Sequence, residues 1–424
     1  MAGSRRRRQL QRQRDARPPD FPVRTTSALN GSVLDRLPPE LLADIHGRLN
    51  GFLDRLAFAA ACDPHSRGRL MTTEAPCLLL LLPGSKESTA TLFSLADGRG
   101  QTATVRAPAD PGVVVGSSGG WLVTAHALGR KLRMANPVTG ARARLPDIAT
   151  IPLLRPSYHW RFGSKVDEIR KVVLSESPRR RSYAAMLIFT GWQSGAPAFT
   201  TAERSAMWRL APCRDGVEDA VHHNGRFYSV SYSGAVEAWE HQANTGVFLS
   251  RTVGPRLPAG DEEDADRRDR RKYLAVAPDG RLMAVLKDRK WVLVDRHRPR
   301  DQNACVFKVH MLDEARAQWE EATTDIGDTA LFVAVNTTLF VSTKEYPGIR
   351  AGCVYYTDDE SSRKEPEPET EPDRNGAFRS SKDGDHYELQ DLGVYSLKDG
   401  TVERVQALPR HPRWPPPVWF TPSM

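Results

Sequence analysis

Asn224-Gly225-Arg226-Phe227-Tyr228-Ser229-Val230, with Gly234-Ala235-Val236-Glu237-Ala238-Trp239 close behind, decides the fold class of this chain. Asn-Gly is a strong hairpin turn because both central positions tolerate positive φ. The turn feeds one strand, and a second strand follows within about ten residues. Asp279-Gly280-Arg281-Leu282-Met283-Ala284-Val285 repeats the device, and Trp291-Val292-Leu293-Val294-Asp295 reads as the strand that follows. Upstream, Val113-Val114-Val115 leads through Gly116-Ser117-Ser118-Gly119-Gly120 into Trp121-Leu122-Val123-Thr124, and Asn136-Pro137-Val138-Thr139-Gly140 is a turn. Such turn-strand-strand units recur at intervals of roughly 40–60 residues, which suits the blades of a β-propeller. Six or seven blades would fill the chain; a pair of β-sandwiches or an irregular β-rich domain is the alternative. The 31 glycines and 31 prolines among 424 residues agree with a turn-rich β architecture.

Ahead of this region the character changes. Pro38 and Pro39 suit the first turn of a helix, where a missing N–H costs nothing, and Glu40 sits near the positive end of the helix dipole. Leu41, Leu42, Ile45 and Leu49 recur at helical spacing. Asn50-Gly51 reads as the stop of that helix. A second short helix carries Leu56, Phe58 and the Ala60-Ala61-Cys62 run. So short a pair either packs on its own chain or offers an apolar stripe to a partner.

The run from Leu37-Pro38 through Leu41-Leu42 and Ile45 to Asp54-Arg55 and Cys62 resembles the F-box, the helical motif that docks a Skp-type adaptor of cullin-based ubiquitin ligases. The resemblance implies an adaptor-binding stripe of Leu37, Pro38, Leu41, Leu42, Ile45, Leu49, Leu56 and Phe58. The sequence departs from the family at Leu34, where tryptophan is usual, at Ala57 and Ala59 in place of arginines, and at Ala61 in place of valine. No tryptophan follows Cys62 in Asp63-Pro64-His65-Ser66-Arg67. Smaller side chains bury less apolar area, at about 25 cal/mol per Å², so the departures imply an adaptor contact weaker than usual, or lost.

A second resemblance covers the remainder. Gly116 to Trp121, Asn136-Pro137-Val138-Thr139-Gly140 with Leu145-Pro146, Asp328 to Val333, Cys353-Val354-Tyr355-Tyr356-Thr357-Asp358-Asp359 and Pro417 to Ser423 are similar to the KIB-type β-propeller that follows an F-box in plant proteins. Together the resemblances imply a mainly β chain. A basic arm (1–31) would precede a small all-α module (32–72) and a propeller (77–424) interrupted by a Glu/Pro-rich insert (358–386). They imply a substrate-recognition subunit whose propeller holds a target protein. A propeller scaffold that has lost its ligase is the other reading.

Charge is unevenly spread. Residues 1–24 hold eight arginines against two aspartates, a net +6 of the chain's +8. The rest is near neutral, which argues against a nucleic-acid-binding surface beyond the arm. The arm fits a nuclear-localisation signal, a transit peptide or a solvated tail. Five scattered cysteines without a CxxC pair suit a reducing intracellular compartment, nucleus or cytoplasm. No apolar run approaches the ~20 residues of a membrane span; Leu78–Leu82 is a buried strand or short helix.

The sequence carries no motif for catalysis. GxGxxG after a strand, GxxxxGK[ST], HExxH and GxSxG are all missing. His222 and His223 are adjacent, so on a strand their rings face opposite sides and cannot share a metal. The expectation is a non-enzyme with no cofactor and no metal. Trp160 and Trp192, near loops, are candidate recognition anchors, and most other tryptophans read as core.

Overall fold

Asn224 and Gly225 both have positive φ, 46° and 77°, the turn whose twist matches that of paired strands. The computed structural model describes residues 33–49, 51–62, 70, 74–81, 89–96, 98, 100–106, 112–126, 131–151, 169–175, 183–189, 195–202, 207–258, 270–289, 305–322, 326–357, 392–406, 408–409 and 416–423. The expected arm and insert, the strand at 291–295, and Trp160 and Trp192 lie outside the described residues.

A 3₁₀ turn (Val33–Arg36) leads into α1 (Pro39–Arg48) and α2 (Phe52–Ala61). Blade one takes β1 (Cys77–Leu81), β2 (Thr89–Ser94) and β3 (Gln101–Arg106). Blade two is β4 (Gly112–Ser118), β5 (Trp121–His126), β6 (Leu132–Ala135) and β7 (Arg142–Arg144). Blade three is β8 (Ile169–Leu174), β9 (Ala184–Phe189), β10 (Ala198–Thr201) and β11 (Arg209–Leu210). Blade four is β12 (Val217–His223), β13 (Arg226–Ser231), β14 (Val236–Gln242) and β15 (Val247–Thr252). Blade five is β16 (Arg270–Val276), β17 (Leu282–Arg289), β18 (Cys305–Asp313) and β19 (Gln318–Glu321). Blade six is β20 (Thr329–Val333), β21 (Thr338–Ser342), β22 (Cys353–Tyr356), β23 (Gly393–Ser396) and β24 (Val402–Glu403).

The chain's last strand, β25 (Val418–Phe420), returns to pair antiparallel with β1 and takes the inner place in blade one. The described strands thus form six blades, the propeller expected from the sequence, and the sandwich alternative is set aside. Blade six departs from the regular order. There β21 is innermost, and β20 pairs with it antiparallel but with β22 parallel.

Neighbouring inner strands approach closely. A Cβ on Gly116 would lie 2.2 Å from the Val172 carbonyl oxygen of β8, so only glycine fits there. Charged side chains tie the next strands. Lys171 Nζ donates to Asp219 Oδ1 at 2.7 Å, and Asp219 Oδ2 accepts the Leu274 N–H at 2.8 Å. Glu218 accepts from Lys272 Nζ at 2.8 Å and from its backbone N–H at 3.2 Å. These contacts join equivalent positions of β8, β12 and β16, so the inner strands run in the same direction. Two buried amides fasten the C-terminal segment: Asn336 Nδ2 donates to the Trp419 carbonyl at 2.7 Å, and Asn136 Nδ2 to that of Ser423 at 2.9 Å.

The tryptophans do fill blade cores. Trp121, Trp208, Trp239 and Trp419 are buried in blades two, three, four and one. Burial raises the thiol pKa of Cys77, Cys213 and Cys353, as befits small core residues. Leu78–Leu81 belong to a buried strand. The His222 ring lies 4.9 Å from that of Phe227, whereas His223 reaches toward Gly280. Among the described residues no three His, Cys, Asp or Glu come together as a metal site, and no helix is long and apolar enough to cross a membrane.

Candidate functional site: the helical hairpin on blade one

α1 starts where the sequence placed it. Pro39 takes the first helical position, the Pro38 carbonyl accepts the Leu41 and Leu42 N–H groups at 3.0 and 3.1 Å, and Glu40 lies in the first turn. Its end differs from expectation. The helix stops at Arg48 with Leu49 extended (φ −75°, ψ 115°), and Gly51 is the N-cap of α2 at φ −86°. A left-handed glycine stop is therefore not used. Instead Arg55 Nη1, from α2, donates to the Leu49 carbonyl at 2.9 Å and satisfies a group at the helix end.

The same guanidinium grips Glu74, just before β1, through Nε to Oε1 at 2.7 Å and Nη2 to Oε2 at 2.6 Å. This two-pronged, charge-assisted contact raises the Arg55 pKa. Glu74 also donates its backbone N–H to the Pro422 carbonyl at 3.3 Å. Arg55 therefore links α1, α2 and the closed edge of blade one. Tyr346, from the loop after β21, lies beside this pair; burial first, then Glu345 and Glu74, push its phenol up to about 12.

The expected stripe divides on folding. Leu42 is 1% exposed and packs with Ala59, Cys62 and Leu70. Leu37, Leu56 and Phe58 are half-buried against the same cluster, joined by Val138 of the β6–β7 turn, and Leu56 also meets the blade-one core. Pro38 is exposed, Leu41 is 43% exposed, and Ile45 and Leu49 are half-buried. The inward row of α1 is thus Leu42–His46, four apart, and the outward row is Leu41–Ile45. His46 is 3% exposed, with its ring 6.2 Å from that of Phe58. Desolvation is the main cause holding its pKa below the usual value; Glu74 opposes it and Arg55 adds to it. Periodicity could not separate Leu41 from Leu42, and it passed over His46 because that residue is polar.

Comparisons with known proteins bear on the propeller. The chain is similar to TolB from Acinetobacter baumannii at 14% identity and a TM-score of 0.34, over 65% of this chain and 61% of that one. It is similar to the Cps50 (Swd1) β-propeller domain from Myceliophteria thermophila at 10% identity and a TM-score of 0.32, over 72% of this chain and 88% of that one. Likeness at these scores assigns neither function nor site. No curated protein matches the chain. The KIB1-4 beta-propeller family matches residues 92–396, most of the ring just described, and the chain belongs to that family.

Proposed function

We propose that this protein is a substrate-recognition subunit of a Skp–cullin–F-box ubiquitin ligase. Its propeller is an architecture suited to protein–protein interaction. The observation that carries the finer reading is the F-box-like run itself, folded as two helices with Pro38 and Leu41 turned outward. In this reading Pro38, Leu41, Ile45 and Leu49 meet the adaptor. Leu42, Leu56, Leu37 and Phe58 hold the hairpin in shape, and the Arg55–Glu74 grip fixes its seat. The chain makes and breaks no bond; it supplies proximity and orientation.

Co-purification with a Skp-type adaptor tests this. The wild-type chain is expected to bind, and Leu41→Ala/Ile45→Ala to lose binding while the propeller melts unchanged. Failure of the wild type to bind would overturn the reading. It would favour a propeller scaffold without a ligase, for which the exposed methyls of Ala57 and Ala61 speak, where the F-box pattern has arginine and valine.

A further inference from the structure

We propose that the end of the propeller opposite the hairpin, around Tyr232 of blade four, docks an acidic peptide segment that presents an aromatic or proline side chain between its carboxylates. This deepens the function given above by naming what the propeller would hold, and it rests on that reading.

Strand direction separates the two ends. Within each regular blade the first-to-second and third-to-fourth connections lie at one end, and the second-to-third connections and the entries to inner strands lie at the other. The seat of the hairpin is built at the first end, from Glu74, which precedes β1, and the β6–β7 turn. Tyr232 lies in the β13–β14 turn, at the second end, three blades around the ring from blade one.

Tyr232 is 41% exposed, the one large exposed aromatic among the described residues. Its backbone is anchored. Its carbonyl accepts from Lys272 Nζ at 3.0 Å. The turn is closed by Gly234 at φ 83° and by Leu257 N–H donating to the Gly234 carbonyl at 2.9 Å. A Cβ on Gly195 would stand 3.3 Å from the ring edge, so blade three meets the tyrosine with bare backbone. An exposed aromatic on an anchored turn is the kind of residue that concentrates binding energy.

The charges around it favour an acidic partner. Carboxylates among the described residues here have partners: Asp215 Oδ2 accepts from Ser233 Oγ at 2.6 Å and Arg256 Nη2 at 3.4 Å, Glu218 is gripped by Lys272, and Glu237 has a side-chain hydrogen bond with Ser250. Among the described residues, the Arg256 side chain is 67% exposed and engages Asp215 through one terminal nitrogen, and Arg214, next to Asp215 in the chain, is exposed and acts electrostatically on Glu237. Exposed guanidinium groups near an aromatic match carboxylates flanking an apolar side chain. A nucleic acid fits less well, because the partly exposed Asp215 carboxylate would face its phosphates.

The test selects a displayed library of random twelve-residue peptides on the immobilised full chain. Enriched peptides are expected to be acidic with a central aromatic or proline. Binding should fall at least tenfold in Tyr232→Ala and in Arg256→Glu, both exposed enough to leave the melting transition unchanged. Failure to enrich, enrichment without acidic residues, undiminished binding by either variant, or displacement of the peptides by a single-stranded oligonucleotide would each overturn the proposal. Adaptor co-purification of the same variants should match the wild type. Loss of adaptor binding in every form would defeat the ligase reading and leave the peptide result standing.

Discussion

Gly116 and Asp219 show how much a single position can carry where inner strands meet. At Gly116 the neighbour is backbone, which cannot swing aside. Gly116→Ala is therefore expected to cost about 1–3 kcal/mol, read as a lower urea midpoint with an unchanged slope. Asp219 is buried and engages both Lys171 and the Leu274 N–H. Asp219→Ala strands an ammonium in the interior and should cost about 3–5 kcal/mol. The pair Lys171→Met/Asp219→Leu should recover the part of that loss that comes from the unpaired ammonium, while the buried Leu274 N–H still lacks its acceptor. Equal destabilisation by the double change would refute the account. Neither residue announces itself in the sequence: Lys171 and Asp219 are 48 positions apart, and nothing local marks them as partners. Gly116 is legible as a turn-prone residue, yet it serves inside a strand, at a bulge, because another strand needs the space.

At the level of elements, short-range signals are more legible than long-range ones. Asn224-Gly225 forms the expected turn with two positive φ values. Asp279-Gly280 does so only in part: Gly280 alone is left-handed, and the turn is widened by Ala277 pairing with Arg281. The helical period located α1, but only packing reveals that Leu42–His46 is the inward row. The reversed order of β20 and β21 and the parallel β20–β22 pair were illegible, since local pattern does not encode which edge a strand joins. His46 gives the hairpin a pH dependence. Its folded pKa lies below the ordinary 6.5, so the unfolded helices bind the proton more readily and stability falls as pH drops below about 6.5. The hydrogen-exchange protection factors of α1 and α2, taken relative to the intrinsic rate at each pH, should therefore fall between pH 7.5 and 5.5 in the wild type and change less in His46→Phe. An equal fall in both would assign the effect elsewhere.

The whole ring depends on its latch. Asn136 and Asn336 each donate to a carbonyl of the C-terminal segment, and loss of both amides should cost about 2–4 kcal/mol. The Asn136→Ala/Asn336→Ala variant is expected to melt earlier and to exchange amide protons faster along β1 and β25 than along β13. Uniform exchange would argue against a weak point at the seam. The closing run Pro417–Ser423 was legible only as part of a family resemblance, because three residues of strand give no periodicity to read. The position of that strand also sets a timetable. A ribosome delivers the helices before residue 420, so five blades can stack while blade one still lacks its inner strand. The hairpin cannot settle against Glu74 and Pro422 until that strand arrives. A chain truncated before residue 418 would thus carry both helices and no finished ring beneath them, competent to engage an adaptor in the reading proposed above and unable to present a settled target surface.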